Sequence, residues 1–350
     1  MLTNDVFKIA SSLGLSMSPY EIVCATPEEI AMLYAKGYHK RYMPQNVKME
    51  KHVPEQIEVG SPHIIYLNRG NKPIENLYIL AHSAGHLDFV YHNLFLINLR
   101  KPRLTHQLIE PLLDYTEQTF LDQFLGIMRK LSMATTLKNR YIAPITYFLK
   151  QRNWFDPWQF KLLKEIQYEA DYFNAIQKTK LMNEGWAVYN QDKVLQELGL
   201  TVVEKLEIAQ LEARLHFKPE EGLNYYSLGK ALWEEVSEED QMKVIREFED
   251  TSFIKKYYTE AVHKKENISV VENHNVFKDY KEVKEQLLLY FKFQTLKIYI
   301  DQDVTDETGY LTLRYQNSPY QVDVQQIKKM KMELEQILKQ AIYIKPFKSE

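Results

Sequence analysis

Two histidines four residues apart form the clearest chemical pattern in the sequence. His82 and His86 lie in the stretch LAHSAGHLDF, with Ser83 at the position where HExxH zinc enzymes carry their catalytic Glu. On an α-helix, residues four apart share one face with Cβ atoms about 5 to 6 Å apart, so both imidazoles can reach one metal ion. The same spacing also fits a hydrogen-bonded pair of core histidines. The two residues alone leave both interpretations open.

A third metal ligand has to come from another segment, and carboxylates in apolar surroundings are the candidates. Glu184 stands between Met182 and Trp186 in KLMNEGWAVY, where a carboxylate needs a metal or a polar partner. It is either a metal ligand or a satisfied buried acid. Glu165 and Glu169 are spaced i, i+4 beside large aromatic residues. They indicate either a buried polar site or, for Glu165, salt bridges with neighbouring lysines.

Other polar residues near the histidines have weaker claims. Asp88 can orient a metal-bound imidazole, which usually donates its second N–H to an oxygen, but it lies on a different helix face from His86. His92 is about 600° around the helix from His86, which favours a surface or partner-helix residue over a third ligand. Cys24 has no nucleophile signature around it, and the sequence contains no GxSxG, GxxxxGK[ST] or GxGxxG motif.

Composition limits the class of protein. The chain has 350 residues, of which 45% are hydrophobic and 26% charged, as in ordinary globular proteins of two or three domains. A net charge of -3 argues against a nucleic-acid partner. The single cysteine excludes an internal disulfide and an all-thiolate zinc site. Without a secretory signal or an integral membrane segment in the sequence, we expect a cytoplasmic protein.

Hydrophobic spacing places both histidines on a helix. The apolar residues between 74 and 99 recur at helical spacing, after a strand at 63–67 and a turn at 68–71. Residues 38–60 are predicted to form a loop. Further helices are predicted over most of 107–150, 157–199 and 201–262.

The spacing of apolar residues changes to period two in the last part of the chain. We predict strands at 295–300, 310–315, 320–324 and 341–346, a turn at 301–309 and a helix at 324–339. The sequence therefore predicts a mainly α, α+β protein. A helical domain, 1–265, carries the candidate metal site, and a small α+β domain follows at 266–350.

Several blocks, taken in order, resemble the SpoVR family. They are AHSAGHLDF followed by Asn93, a DPWQ start at 156–159, Glu169 with Tyr172 and Phe173, KLMNEGWAVY, NYYSLG at 224–229, IREFEDTSFI at 245–254 and RYQNSPYQVDV. The likeness spans roughly residues 20 to 346 and identifies the chain as a divergent, shortened member. Gln191 stands where the family usually has His, and the family's MPxxYxHWxFG segment is reduced to YMPQN.

The resemblance implies a sporulation protein that acts in spore cortex formation, in the mother-cell cytoplasm. Its partner would be a cell-wall-related substrate or another sporulation protein. Thermolysin-like (gluzincin) enzymes carry their third zinc ligand in an NExxS/A motif, and NEGWA has that form. We therefore hypothesise that His82, His86 and Glu184 hold a divalent metal, with zinc as the first candidate.

A metal triad of this kind implies hydrolysis of peptide or amide bonds in cell-wall material. Because Ser83 cannot serve as the base, Glu169 or Glu165 is the predicted catalytic base, and Asp88 and Asn183 are predicted to orient the ligands. The alternative is a non-catalytic sporulation scaffold or regulatory protein in which the same residues form a buried His/Glu network.

Overall fold

The fold combines many helices with small sheets. The computed structural model describes residues 2–30, 55–99, 101–134, 137, 140–215, 222–272, 275–292, 297–316 and 323–347. The helices in these ranges are α1 (Leu2–Ser12), α2 (Pro73–His92), α3 (His106–Ile109), α4 (Gln118–Leu131), α5 (Pro144–Phe148), α6 (Pro157–Lys178), α7 (Lys180–Glu197), α8 (Val202–Leu215), α9 (Tyr225–Glu234), α10 (Glu238–Glu247), α11 (Asp250–Tyr257), α12 (Glu260–Glu266), α13 (Tyr280–Lys292), α14 (Gln302–Thr308) and α15 (Val324–Leu338). Short 3-10 turns cover Glu110–Asp114 and Arg152–Trp154.

The strands form three small sheets. They are β1 (Tyr20–Ala25), β2 (Glu55–Glu58), β3 (His63–Asn68), β4 (Tyr141–Ile142), β5 (Val270–Glu272), β6 (Asn275–Phe277), β7 (Ile298–Asp301), β8 (Leu311–Tyr315) and β9 (Ile342–Pro346). The sheet orders are β1-β3-β2, β4-β7-β8-β9 and β5-β6. β3 pairs in parallel with β1 and antiparallel with β2, and β8 pairs in parallel with β9. This architecture confirms the predicted mainly α, α+β fold class.

The chain divides into two compact units. Unit 1 takes the described residues up to Lys101 together with Ala175–Lys292, and unit 2 takes Pro102–Asn174 with the described residues after 296. The domain boundary predicted near residue 265 stays a prediction, and residues 266–292 belong to unit 1 in this division. Among the described residues, no helix is both long enough and apolar enough to span a bilayer.

The core of unit 1 surrounds helix α2. Almost every residue of this helix from Ile74 to Val90 is buried, so α2 is a central helix without a solvent face. Its start is fixed by Pro73 at the first helical position and by the Glu75 carboxylate, which accepts a hydrogen bond from the N–H of Lys72 at 2.8 Å. Helices α7 and α9 and the β1-β3-β2 sheet contribute to the same core.

The core of unit 2 lies between its four-stranded sheet and the helices that cover it. β7 and β8 are almost fully buried and pair with each other antiparallel. Apolar residues of α4, α6 and α15 pack in the same cluster as these strands. Buried Asp301 at the end of β7 accepts hydrogen bonds from Arg314 and Arg140 at 2.9 and 3.2 Å, which neutralises its charge.

Several predicted boundaries were wrong, each for a local reason. The helix predicted to reach residue 99 ends at His92, because buried Asn93 adopts an extended backbone and its amide bonds the carbonyl of Ile245 at 2.7 Å. The predicted loop 38–60 contains strand β2, and its residues before 55 lie outside the described ranges. Strand β1 was not predicted.

The last part of the chain follows the prediction with two exceptions. β7, β8, α15 and β9 form close to the expected positions. The segment predicted as a turn at 301–309 is instead the short helix α14, which ends at Gly309 in the left-handed region with φ 72°. For the strand predicted at 320–324, residues 320–322 lie outside the described ranges and Val324 begins α15.

Candidate metal centre

Close helix packing brings the predicted metal ligands together. A Cβ at Gly85 of α2 would lie 2.6 Å from Cα of Ala187 in α7, so the two helices touch backbone to backbone at this point. Gly185 of α7 meets Gly229 of α9 in the same way, where a Cβ would lie 2.3 Å from the Gly229 carbonyl carbon. Glycine is required at such approaches because any side chain would push the helices apart. The result is that Glu184, next to Gly185, is held beside α2.

His82, His86 and Glu184 converge in unit 1 on one point. Their ligand atoms all lie within 4.8 Å of one another. The two Nε2 atoms are 3.0 Å apart, and Glu184 Oε2 is 3.5 Å from each of them. The centre of a triangle with these sides lies about 1.9 Å from each corner, close to the 2.0 to 2.2 Å of zinc–nitrogen and zinc–oxygen bonds. The three atoms therefore match the spacing of a zinc ligand set.

Hydrogen bonds fix the tautomer of both imidazoles. Gln191 donates its Nε2–H to the carbonyl of Tyr78 at 3.2 Å, so its Oε1 must face His82 Nδ1, 3.1 Å away. That oxygen can only accept, so His82 carries its proton on Nδ1. His86 Nδ1 lies 2.9 Å from the Asn183 amide oxygen and donates in the same way. Both Nε2 atoms consequently present lone pairs to the shared point.

Two lone pairs 3.0 Å apart repel each other unless a cation lies between them, either a metal ion or a proton that the two rings share in a hydrogen bond. Protonation is disfavoured, because burial and the nearby His82 lower the pKa of His86 to about 4. Burial alone would raise the pKa of Glu184, but the proximity of His82 and His86 and the charge of Lys180 outweigh it, so the pKa is lowered. At neutral pH these shifts leave a neutral imidazole at His86 and a carboxylate at Glu184, which are forms that bind metal.

Asp88 makes different contacts from the predicted ones. Its carboxylate accepts hydrogen bonds from the backbone N–H of Ser16 at 2.7 Å and from Trp186 Nε1 at 2.8 Å, and His92 Nε2 lies 3.5 Å away. The acceptors for the two metal-facing histidines are Gln191 and Asn183. Asp88 thus holds α2 against α7 through Trp186, two residues after Glu184.

Asp250 fixes the beginning of α7. This buried carboxyl accepts hydrogen bonds from the backbone N–H groups of Leu181 and Met182 at 2.9 and 3.0 Å. These donors belong to the first turn of the helix and have no partner within it. Asp250 therefore sets the position of the turn that precedes Glu184, and no local sequence pattern indicates this distant cap.

The predicted catalytic carboxylates lie in unit 2. Glu169 is buried and paired with Arg129, with an Oε1 to Nε distance of 2.6 Å. Glu165 has a buried Oε2 without a hydrogen-bond partner among the described residues. Its predicted salt bridge to a neighbouring lysine is not among the ion pairs of the described residues. In unit 1, Ser83 Oγ is likewise buried and unpaired. The role of Glu165 or Glu169 as base stays a prediction.

Gln191 is the residue near the cluster that sequence reasoning missed. Gln191 stands where the SpoVR family usually has His. It lies five residues after Trp186, which is about two helical turns beyond Glu184 on α7. The sequence feature that could have indicated its role is an amide residue about two helical turns after the candidate carboxylate ligand.

Comparisons with known proteins agree with the blocks identified in the sequence. The family model described as SpoVR like protein matches residues 129–295. The uncharacterized protein YcgB of Escherichia coli (strain K12) is 24% identical over 49% of this chain and 42% of its own length. The chain therefore matches less than half of that relative. No solved structure matches the chain.

The matched range contains Glu184, Asn183 and Gln191, whereas His82 and His86 precede it. The matched range includes the NEGWA block, which lies on helix α7. The comparison confirms, over residues 129–295, the resemblance to the SpoVR family that was predicted from the sequence.

Proposed function

We propose that this chain is a zinc-dependent hydrolase of peptide or amide bonds in cell-wall material, acting in the mother-cell cytoplasm during formation of the spore cortex. The observation that carries the proposal is the convergence of His82 Nε2, His86 Nε2 and Glu184 Oε2 with both imidazole tautomers fixed. The cell-wall substrate and the cortex role rest on the family resemblance.

The protein residues have distinct tasks in this proposal. His82, His86 and Glu184 would hold the ion and leave one side open, as catalytic zinc sites do. Gln191 and Asn183 keep both imidazoles in the ligating tautomer. A bound divalent ion supplies Lewis acidity, which activates water at neutral pH and polarises a carbonyl oxygen.

Hydrolysis also needs a group that accepts a proton from the attacking water. Because Ser83 has no basic group, the candidates from the sequence are Glu165 and Glu169. The two differ in their surroundings, since Glu169 is committed to Arg129 and Glu165 has an unpaired carboxylate oxygen.

Metal analysis of purified protein tests the first step. After purification without chelators, we expect about one zinc ion per chain in the wild type and loss of zinc in His86→Ala. His92→Ala is the matched control, because it removes a histidine from the same helix without touching the cluster. A folded wild-type protein that neither contains nor takes up zinc, cobalt or manganese contradicts the metal site.

Hydrolysis is tested separately on the zinc-loaded protein. Cell-wall peptide fragments are incubated with wild type, Glu165→Gln and Glu169→Gln, and products are identified by mass spectrometry. We expect cleavage by the wild type and a loss of at least about a hundredfold in one of the two variants, the one that lacks the base, in the range of general-base contributions. Zinc binding without cleavage of any fragment would favour the scaffold alternative, in which the metal has a structural role.

A further inference from the structure

Unit 1 contains an open cleft that is separate from the metal cluster. It has a volume of about 460 Å³ and lies where the end of α2, the start of β3 and the end of α10 meet. That volume is in the range of small-molecule sites. His82, His86 and Glu184 do not line it. The proposed hydrolase function therefore gives this cleft no task.

One buried side chain offers an unused hydrogen-bond donor in the cleft. His63 lines the cleft and is 6% exposed. Its Nδ1 accepts a hydrogen bond from the N–H of Gly60 at 3.0 Å, which places the proton of the neutral ring on Nε2. Among the described residues, Nε2–H has no hydrogen-bond partner. This donor of a largely buried ring is therefore available to an acceptor from a ligand or from solvent.

The cleft also carries a positive charge without a counterion. Arg246, in the last turn of α10, lines the cleft, and its guanidinium makes no ion pair with any described residue. No Asp or Glu is among the described residues that line the cleft. A guanidinium and an imidazole N–H together suit an anion, and a planar carboxylate fits the fork of Arg best.

The rim of the cleft is apolar and exposed. Tyr91, Leu94 and Ile97 line it and are 47%, 54% and 50% exposed. The N–H of Leu94 bonds the carbonyl of Arg246 at 3.1 Å, so this apolar segment is held next to the free charge. Large apolar side chains clustered at a cleft mark a binding surface. The ligand therefore needs an apolar part as well as an anionic end.

We propose that this cleft binds a small carboxylate with an alkyl chain. The carboxylate pairs with Arg246 and accepts from His63 Nε2–H, and the alkyl chain lies against Tyr91, Leu94 and Ile97. Neither half is sufficient alone, because an exposed Arg–carboxylate pair is weak in water and the apolar rim alone gives no preference for an anion.

Isothermal titration calorimetry with three probes tests the proposal on the full chain. Octanoate carries both the charge and the chain, octanol carries the chain alone, and acetate carries the charge alone. We expect saturable one-site binding of octanoate at pH 7.5, with octanol and acetate each at least about tenfold weaker, since a charge-assisted hydrogen-bond pair supplies about a factor of ten or more.

Two variants on one helix locate the site. We expect Arg246→Gln to weaken octanoate binding by about tenfold, whereas the matched control Lys243→Gln, which removes an exposed charge three residues away, leaves it unchanged. Leu94→Ser, at an exposed rim position, should weaken octanoate by severalfold and leave acetate unchanged.

Three results overturn the proposal. The first is the absence of saturable octanoate binding by folded protein. The second is equal affinity for octanoate and octanol, which removes the anionic end from the recognition. The third is an equal effect of Arg246→Gln and Lys243→Gln, which shows a general charge effect and not a site. In addition, we expect His63→Phe, which removes the Nε2–H donor, to weaken octanoate binding.

Discussion

Replacing Gln191 by Leu should loosen zinc binding without removing a ligand. Gln191 is 1% exposed, and its Oε1 is the acceptor for the Nδ1–H of His82. In Gln191→Leu, His82 keeps its buried N–H without an acceptor or moves the proton to Nε2, where it blocks the metal. An unsatisfied buried donor costs about 1 to 3 kcal/mol, and loss of such a partner typically lowers metal affinity about 10- to 100-fold.

Competition with a chromophoric chelator at pH 7.5 measures the change in zinc affinity. Gln191→Glu is the conservative variant, because a carboxylate also accepts from Nδ1–H, and it should bind zinc at least as tightly as the wild type. Asn190→Leu is the matched control. Asn190 is 4% exposed like its neighbour, but its amide bonds the carbonyl of Trp186 and does not touch the cluster. A Gln191→Leu protein with wild-type zinc affinity would refute the assigned tautomer.

Three further predictions concern stability, measured by chemical denaturation. Gly85→Ala should destabilise the chain by about 1 to 3 kcal/mol because its Cβ meets the facing helix at 2.6 Å, whereas Gly126→Ala, which faces open space within α4, should stabilise it by about 0.5 to 1 kcal/mol. Burial and the charge of a nearby lysine lower the pKa of His63 to about 4, so the unfolded chain takes up a proton first as the pH falls. His63 should therefore contribute a decline in stability of at most roughly 3 kcal/mol between about pH 6.5 and 4. His63→Phe should remove that part and leave the decline due to His86, whose pKa burial also lowers to about 4. Asp301→Asn should cost about 3 to 5 kcal/mol by leaving the buried Arg314 guanidinium without its partner, while Asp303→Asn, at an exposed position, should change stability by less than about 1 kcal/mol. Equal effects of Gly85→Ala and Gly126→Ala would contradict the helix packing, and equal effects of Asp301→Asn and Asp303→Asn would contradict the buried ion pair. An unchanged pH profile in His63→Phe would contradict the burial of His63.

Local patterns were enough to predict the elements that carry the metal ligands. The four-residue spacing of His82 and His86 needs nothing beyond one helix, and helical periodicity marked α2 apart from its end. The end was missed because Asn93 is fixed by a carbonyl about 150 residues later in the chain. Such a contact has no local signature, so the helix was predicted seven residues too long.

The orientation of the ligands depended on long-range contacts in the same way. Gln191 and Tyr78 are far apart in the chain, and their hydrogen bond is what settles the tautomer of His82. The Asp250 cap on α7 likewise joins residues about 70 positions apart. Sequence spacing predicts which residues can share a helix face, whereas the backbone contact of Gly85 with α7 determines whether two faces meet.

The cleft and the metal cluster both include residues of α2 but share no residue. Each should therefore bind its ligand independently of the other. Arg246→Gln should retain the full zinc content of the wild type, and His86→Ala should bind octanoate with wild-type affinity, because Arg246 does not contact the cluster and His86 does not line the cleft. Calorimetry with octanoate on zinc-loaded and chelator-treated wild type gives the same test without a substitution. If removing zinc changed octanoate affinity more than about threefold, the carboxylate would have to bind at the metal itself, and the cleft would lose its ligand while the metal site kept its own.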